Sequence, residues 1–123
     1  MPRFAEIQTL EEIAVLVTAG VFLKRPISAI YNNYRRSLCP YVIGRNKEGG
    51  LHVLCYQYDG GSTSGLKARG SKDNWRCIVL PKLKAVRLID EPWQSVGDHS
   101  RPQTCIVDVL FDAEKLPDST ARL

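Results

Sequence analysis

The sequence lacks an apolar run long enough to cross a membrane. Its run over residues 13–23 has eleven residues, whereas a helix that spans a bilayer needs about 20. The segment before that run carries Glu6, Glu11 and Glu12, so the basic start of a signal peptide is also missing. We therefore expect a cytoplasmic protein that has no membrane partner.

Cysteine pairs with the CxxC spacing are missing as well. The chain has four cysteines, and each lies among apolar residues: Cys39, Cys55, Cys77 and Cys105. Because a zinc site uses short, paired spacings, we expect no metal and no other cofactor. Free cysteine packs as a small apolar side chain, so we predict that all four cysteines are reduced thiols of the core.

Patterns that indicate catalysis are scarce. The chain has two histidines, His52 in a strand-like run and His99 in a polar stretch, and a single strand histidine is more often a structural partner than a base. Glycines 60 and 65 have the spacing of a triphosphate-binding loop, but Leu66 stands where that motif requires lysine. No carboxylates are paired in a catalytic spacing. We predict that the protein is not an enzyme; the alternative is a hydrolase or nuclease that uses His52.

The sequence does contain a series of short β-strand patterns. Runs rich in β-branched and aromatic residues, separated by Gly, Asn and Pro, predict five or six strands. Strands do not alternate with helices, so a parallel nucleotide-binding sheet is not expected. The spacing instead predicts a mainly β protein, a small closed barrel of antiparallel strands. We divide the chain into residues 1–25 (lead-in and helix), 26–111 (barrel) and 112–123 (flexible tail).

Turn residues set the ends of the predicted strands, which cover residues 27–31, 34–43, 51–58, 74–80, 85–89 and 104–111. Asn32 and Asn33 predict a tight hairpin turn, and Pro40 predicts an edge or a bulge. Residues 59–73 form a glycine-rich loop that is either a passive linker or a lid over one barrel mouth. Its amides, with Lys67 and Arg69, are suited to cradling an anion.

One helix is predicted before the strands. Thr9 and Glu12 have the spacing of a capping box, and apolar residues recur at helical spacing over residues 10–19. Gly20 is the predicted stop. Because this helix is apolar nearly all round, we expect it to be covered on two sides or to form an oligomer contact.

Basic residues beside core positions are the strongest functional signal. The formal net charge is +4, which favours anionic partners. Since side chains alternate across a strand, Arg36 and Arg76 each share a face with core residues and are predicted to lie at one rim of the barrel. With Tyr31 and Tyr56 nearby, they would suit a phosphate and a stacked base. The alternative is that each arginine pairs with a carboxylate and only closes the barrel.

The order and spacing of these residues resemble the WYL domain family over roughly residues 26–93. The similar residues are Tyr31, Arg36 and Pro40 in the first hairpin, residues 50–54 in the third strand, Arg76, Ile78, Leu80, Lys82 and Leu83 in the motif strand and turn, and Asp90 with Trp93 after the fifth strand. Tyr56-Gln57, the glycine-rich loop and Trp75-Arg76 resemble a short, stand-alone branch. The family's Trp-Tyr-Leu trio appears as His52-Val53-Leu54, and its last motif arginine as Lys82.

This resemblance implies a Sm-like or Src-homology-3-like barrel that senses a ligand. It implies a role in bacterial transcription regulation or phage defence, here without the winged helix. The implied partner is a nucleotide or a single-stranded nucleic acid at the barrel mouth. By position, the resemblance gives Tyr31, Arg36, Arg76 and Lys82 as the binding residues. To these we add His52, Tyr56, Lys67 and Arg69 as expected ligand-binding residues. The alternative is a protein–protein interaction or dimerisation module, with a second copy or a regulatory protein as the partner.

Overall fold

The computed structural model describes residues 8–68, 71–94 and 105–115. Within them the chain forms one α-helix, six strands and three short 3-10 helices. These are α1 (Leu10–Leu23), β1 (Ile27–Tyr31), β2 (Tyr34–Arg45), β3 (Leu51–Gly60), β4 (Trp75–Val79), β5 (Lys84–Leu88) and β6 (Asp108–Asp112), with 3-10 turns at Lys72–Asn74, Leu80–Lys82 and Ala113–Lys115. The predicted mainly β architecture with an N-terminal helix is confirmed.

All strand pairs belong to one antiparallel sheet in the order β4-β3-β2-β1-β5, with β6 paired to β2. Strand β2 is long enough for two partners on one side, because its first half pairs with β1 and its second half with β6. Its other side pairs with β3 along nearly its whole length. In the part of the chain that the structure describes, β4 and β5 do not pair with each other. The sheet is therefore not closed, and a barrel stays a prediction.

The predicted hairpin turn is confirmed, and of the two alternatives at Pro40, an edge or a bulge, the structure shows a bulge. Asn32 and Asn33 have φ values of 51° and 67° and join the paired residues Tyr31 and Tyr34, as a two-residue hairpin with positive φ requires. The pairing of β2 with β3 shifts register just after Pro40. Proline has no backbone N–H to donate, so a bulge there avoids a missing hydrogen bond within the ladder.

The C-terminal elements differ in their limits from the prediction. Strand β6 begins at Asp108 rather than at Thr104, a residue outside the described ranges. It is followed by a 3-10 turn whose first residue, Ala113, is fully buried. Regular structure therefore continues into the start of the segment that the sequence assigns to a tail.

Helix α1 begins as predicted but ends later. Thr9 Oγ1 accepts from the backbone N of Glu12 at 3.1 Å, and Glu12 Oε1 accepts from the backbone N of Thr9 at 2.8 Å, which confirms the capping box. The predicted stop at Gly20 is wrong, because the helix runs on to Leu23. A Cβ at Gly20 would lie 2.8 Å from Cγ of Pro40. Glycine is therefore needed there for close packing of the helix on β2.

Two layers of side chains cover the sheet. On one face, Ile13, Val17 and Val21 of α1 belong to one core cluster with apolar residues of all five strands of the main order. On the other face lies an aromatic cluster in which Tyr41 contacts Trp75 and Trp93, with ring centroids 4.9 and 4.8 Å apart. On the outer face of α1, Val15 is 67% exposed, and Phe22 contacts Phe111 of β6 while 41% exposed. Both expectations for this helix, cover on two sides and an oligomer contact, stay predictions.

The cysteines fall into two pairs of different character. Cys39 and Cys55 are buried and reduced, as predicted; burial raises the pKa of the Cys39 thiol to about 11 and that of Cys55 well above its usual value. Cys77 and Cys105 instead form a disulfide, so the prediction of a reduced thiol is wrong for both. Cys77 alternates with the buried Ile78 and is exposed on the outside of β4, where the segment before β6 passes.

No helix among the described residues is long and apolar enough to cross a membrane.

Candidate functional site

Arg36 and Arg76 meet at the side chain of Gln57, which is fully buried in β3 between β2 and β4. Arg36 Nη1 donates to Gln57 Oε1 at 3.4 Å, and Arg76 Nε donates to the same oxygen at 3.1 Å. The structure therefore brings the two arginines together, as strand alternation predicts. They converge on a neutral amide and not on a carboxylate.

The orientation of the Gln57 amide is fixed by its other end. Gln57 Nε2 donates to the carbonyl oxygens of Asp59 and Gly61, both at 3.1 Å. The amide oxygen must then face the two arginines, since only the nitrogen can donate. Sequence reasoning missed Gln57 as a site residue. Its signal was available: it stands two and four residues after the buried Cys55 and Val53, so alternation places this polar residue on the core face of β3.

Arg36 is a buried cation, and one of its three guanidinium nitrogens has no hydrogen-bond partner among the described residues. Only 4% of the residue is exposed. Its guanidinium carbon lies 5.1 Å from the ring centroid of Tyr31 and 5.8 Å from that of Tyr34, and Nη2 donates to the Tyr31 carbonyl at 3.0 Å. Arg36 Nε is buried without a hydrogen-bond partner among the described residues. Burial and the nearby charge of Arg76 lower the pKa of Arg36.

Arg76 is fully engaged, but by neutral oxygens. Its Nη2 donates to Gly65 O at 2.9 Å and to Ser62 Oγ at 3.2 Å. Its Nη1 donates to Asp73 O at 3.2 Å and to Ser64 Oγ at 3.4 Å. Burial lowers the pKa of Arg76, and the charge of Asp73 partly offsets this. Among the described residues, neither arginine is hydrogen-bonded to a carboxylate, so the alternative of two carboxylate-paired arginines is not observed.

Two glycines let the loop approach the arginines closely. Gly60 has a φ of 96°, and a Cβ there would lie 2.1 Å from the carbonyl oxygen of Arg35. A Cβ at Gly61 would lie 2.6 Å from Cδ1 of Tyr34. A side chain at Gly60 would separate the loop from the backbone of β2, and one at Gly61 would separate it from the ring that flanks Arg36. We call residues 61–65, which run from this contact across Arg76, the strap.

Of two other predicted site residues, Tyr31 contacts the arginine pair and Lys82 lies on a neighbouring surface. The ring of Tyr31 contacts the guanidinium group of Arg36. The Tyr31 hydroxyl accepts from the backbone N of Val79 at 3.1 Å, so this hydroxyl already has a partner within the protein. Lys82 lies in the turn after β4 and lines a separate hollow of about 230 Å³. That hollow is lined by Ile30, Asn32, Asn33, Lys82 and Lys84. The structure thus joins Tyr31 to the arginine pair and gives Lys82 a neighbouring surface of its own.

Two predicted residues of β3 lie away from the arginine pair. Tyr56 alternates with Gln57 and therefore faces the aromatic layer on the other side of the sheet. It is 1% exposed, its ring centroid is 5.2 Å from that of Trp75, and its hydroxyl donates to Ser71 O at 3.1 Å. His52 is at the opposite end of β3, where its Nδ1 is 3.2 Å from Gly50 O. Neither side chain contacts Arg36 or Arg76.

The far half of the glycine-rich loop is held by Asn74. This residue is 1% exposed; its Oδ1 accepts from the backbone N of Lys67 at 2.8 Å, and its Nδ2 donates to the carbonyls of Lys67 and Ala68 at 3.1 Å. The Lys67 side chain is exposed and reaches only Ser64 O, at 3.5 Å. Arg69 lies outside the described residues. The loop is therefore folded against the site, unlike a passive linker.

The chemistry available at this place is the binding of an anion. Guanidinium donors and aromatic rings surround it, while the groups that contact Arg36 and Arg76 are amides, hydroxyls and carbonyls. Among the described residues there is no cluster of three or more His, Cys, Asp or Glu that could hold a metal ion.

No protein-family model, curated protein or solved structure matches this chain. The resemblance to the WYL domain family therefore stays a prediction.

Proposed function

We propose that this chain is a non-enzymatic module that binds an anionic ligand, a nucleotide or a single-stranded nucleic acid. The observation that carries this proposal is Arg36, a cation 4% exposed, with a partnerless Nε and a second guanidinium beside it. A buried charge without a counter-charge is costly. A phosphate would supply that counter-charge and accept from the Nε donor that the described residues leave without a partner.

The groups around Arg36 suit a phosphate with an attached base. Guanidinium groups bind phosphate oxygens in a forked geometry. The ring of Tyr34, which is 40% exposed, lies within 5.8 Å of the Arg36 guanidinium and offers a face on which a base can stack. The ring of Tyr31 is less available, because its hydroxyl is bound to the end of β4. Tyr34 thus replaces Tyr31 as the proposed stacking residue.

The proposal retains the small barrel that the resemblance implies. Strands β4 and β5, at opposite ends of the sheet order, are linked by the single 3-10 turn Leu80–Lys82. The hydrogen bond from the Val79 backbone N to the Tyr31 hydroxyl also draws the end of β4 towards β1. A strongly curled sheet of this kind supports the Sm-like shape. The same resemblance would place the module in bacterial transcription regulation or phage defence.

The first test is a titration of a fluorescein-labelled single-stranded oligonucleotide, followed by anisotropy. We expect binding at about 50 mM salt that weakens by at least 10-fold at about 200 mM, because phosphate contacts release counterions. Arg76→Ala should weaken binding by about 10- to 100-fold, since charge-assisted contacts to phosphate are lost. Lys82→Ala should have a smaller effect, because its hollow is separate from the arginine pair.

The matched control is Arg87→Ala. Arg87 is exposed on β5, so this variant removes the same charge from a different surface. Circular dichroism must show that each variant is folded. A wild-type protein that binds nothing at low salt, or equal losses for Arg76→Ala and Arg87→Ala, would overturn the proposed function.

A dimerisation module is the second candidate, favoured by one exposed apolar surface. Phe22 of α1 and Phe111 of β6 contact each other with ring centroids 4.7 Å apart, yet they are 41% and 37% exposed. Val15 beside them is 67% exposed. Strand β6 pairs only with β2 among the described residues, which leaves its outer edge open. A second copy of the chain would satisfy that edge and cover the patch by two-fold symmetry.

Light scattering after size exclusion tests the second candidate. We expect a dimer for the wild type at high protein concentration and a monomer for Phe22→Asp, because a charge in a dry interface is unfavourable. Ile30→Asp is the control, since Ile30 is exposed to a similar degree, 37%, but lines the hollow beside Lys82. A wild type that stays monomeric at high concentration removes this candidate.

A further inference from the structure

The strap supplies oxygens to Arg76 in the way that a bound anion would. Three of the five hydrogen bonds that Arg76 makes end on strap atoms: Ser62 Oγ, Ser64 Oγ and Gly65 O. All three oxygens are neutral, and they approach the two terminal nitrogens of the guanidinium group. These are the nitrogens that a phosphate would bind in a forked geometry.

Little else holds the strap in place. Its sequence, Gly-Ser-Thr-Ser-Gly, contains no large apolar side chain that could anchor it in the core. Apart from the contacts to Arg76, its hydrogen bonds to described residues are from Gly61 N to Arg35 O at 3.2 Å, from Gln57 Nε2 to Gly61 O at 3.1 Å, from the exposed Lys67 Nζ to Ser64 O at 3.5 Å, and from Gly65 N to Ser62 O at 3.1 Å. The last of these lies within the strap. Segments with few buried contacts open at low free-energy cost.

A glycine lies at each boundary of the strap: Gly60, the last residue of β3, and Gly65. They have φ values of 96° and 83°, and glycine adopts positive φ values as readily as negative ones. Residues beyond Gly65 are fixed, since Asn74 binds the backbone of Lys67 and Ala68. A rotation at the two glycines would thus lift residues 61–64 and leave both flanking segments in position.

We infer that the strap is an internal competitor of the ligand: it occupies Arg76 in the empty protein, and an incoming phosphate displaces it. This inference rests on the proposed function. A phosphate adds the attraction of opposite charges and a two-bond forked geometry to the guanidinium group, which the neutral strap oxygens lack, so it can replace the two serine hydroxyls. Lifting the strap also removes Gly61 from the Tyr34 ring and so opens a path to the buried Arg36.

The double variant Ser62→Ala/Ser64→Ala tests this inference by weakening the competitor. We expect it to bind the labelled single-stranded oligonucleotide about 10-fold more tightly than the wild type, since two hydrogen bonds to a charged group no longer oppose binding. Thr63→Ala is the matched control, because Thr63 is exposed within the same strap and its hydroxyl makes no contact with Arg76 among the described residues. Its affinity should equal that of the wild type.

The outcomes separate the two proposals. A wild type that binds and loses affinity on Arg76→Ala, together with a double variant that binds no more tightly, overturns the strap inference and leaves the proposed function standing. Absence of binding by every variant overturns both. Hydrogen exchange gives a second readout: saturation with the oligonucleotide should speed exchange at Gly61, whose amide is bonded to Arg35 O, and slower or unchanged exchange there contradicts displacement.

Discussion

We expect Arg36→Met to weaken anion binding by at least about 100-fold without lowering the stability of the fold. The loss of binding follows because Arg36 carries an uncompensated charge and an Nε donor without a partner among the described residues, and contacts between opposite charges at a desolvated site are strong. Stability should be unchanged or higher by about 1 kcal/mol, since replacing a poorly compensated buried charge by an apolar side chain of similar volume is often neutral or stabilising. Urea unfolding and the oligonucleotide titration measure the two effects.

The combination of these two effects is what distinguishes a ligand-binding arginine from a structural one. Arg35→Met is the control, because Arg35 is the preceding residue of β2, is exposed, and donates to Ser28 Oγ at 3.1 Å on the other face. It should leave affinity for the oligonucleotide close to that of the wild type. If Arg36→Met instead unfolds at much lower urea and the control does not, Arg36 contributes to the fold and the proposed site loses its central residue.

The elements that depend on local chemistry could be predicted from the sequence. The start of α1 follows from the reciprocal hydrogen bonds of Thr9 and Glu12, and the hairpin after β1 follows from two asparagines that tolerate positive φ. Both signals lie within four residues of the structure that they determine. The limits of the strands were less accurate, because pairing partners far along the chain decide where each strand ends.

Features that depend on distant contacts were missed. By local rules Gly20 indicates the end of a helix, but the glycine is required by Pro40, 20 residues further along the chain. The Cys77–Cys105 disulfide joins residues separated by 28 positions. Alternation with the buried Ile78 does place Cys77 on the outer face of β4, but which segment passes there follows only from the pairing of β6 with β2.

Only part of the site could be predicted from the sequence, again because local patterns can be read and distant contacts cannot. The period of two in β2 and β4 placed Arg36 and Arg76 on the core face, and the pairing of both strands with β3 brings them together. The same period excludes Tyr56 from the site, because it neighbours Gln57 and must face the other layer. The contacts of the strap had no such signal, since a glycine and serine segment has no periodicity from which a direction can be read.

The second large effect is expected for Gln57→Leu, which should lower the free energy of unfolding by about 3 kcal/mol. The Gln57 amide is fully buried and makes four hydrogen bonds, two from the arginines and two to the carbonyls of Asp59 and Gly61. Leucine has similar size but can replace none of them. Each buried group left without a partner costs about 1–3 kcal/mol, and water reaching the half-exposed Gly61 limits the total.

Gln57→Glu makes the test specific for the amide. Glutamate keeps an acceptor for Arg36 and Arg76 and supplies the missing negative charge, but it cannot donate to the carbonyls of Asp59 and Gly61. Its stability should therefore lie between that of the wild type and Gln57→Leu, as measured by urea midpoints at equal slopes. Its affinity for the oligonucleotide should nevertheless be lower than that of the wild type, because the internal carboxylate neutralises the charge of the two arginines. A Gln57→Leu variant as stable as the wild type, or a Gln57→Glu variant with full affinity, would mean that the arginine pair is not held open for an external anion.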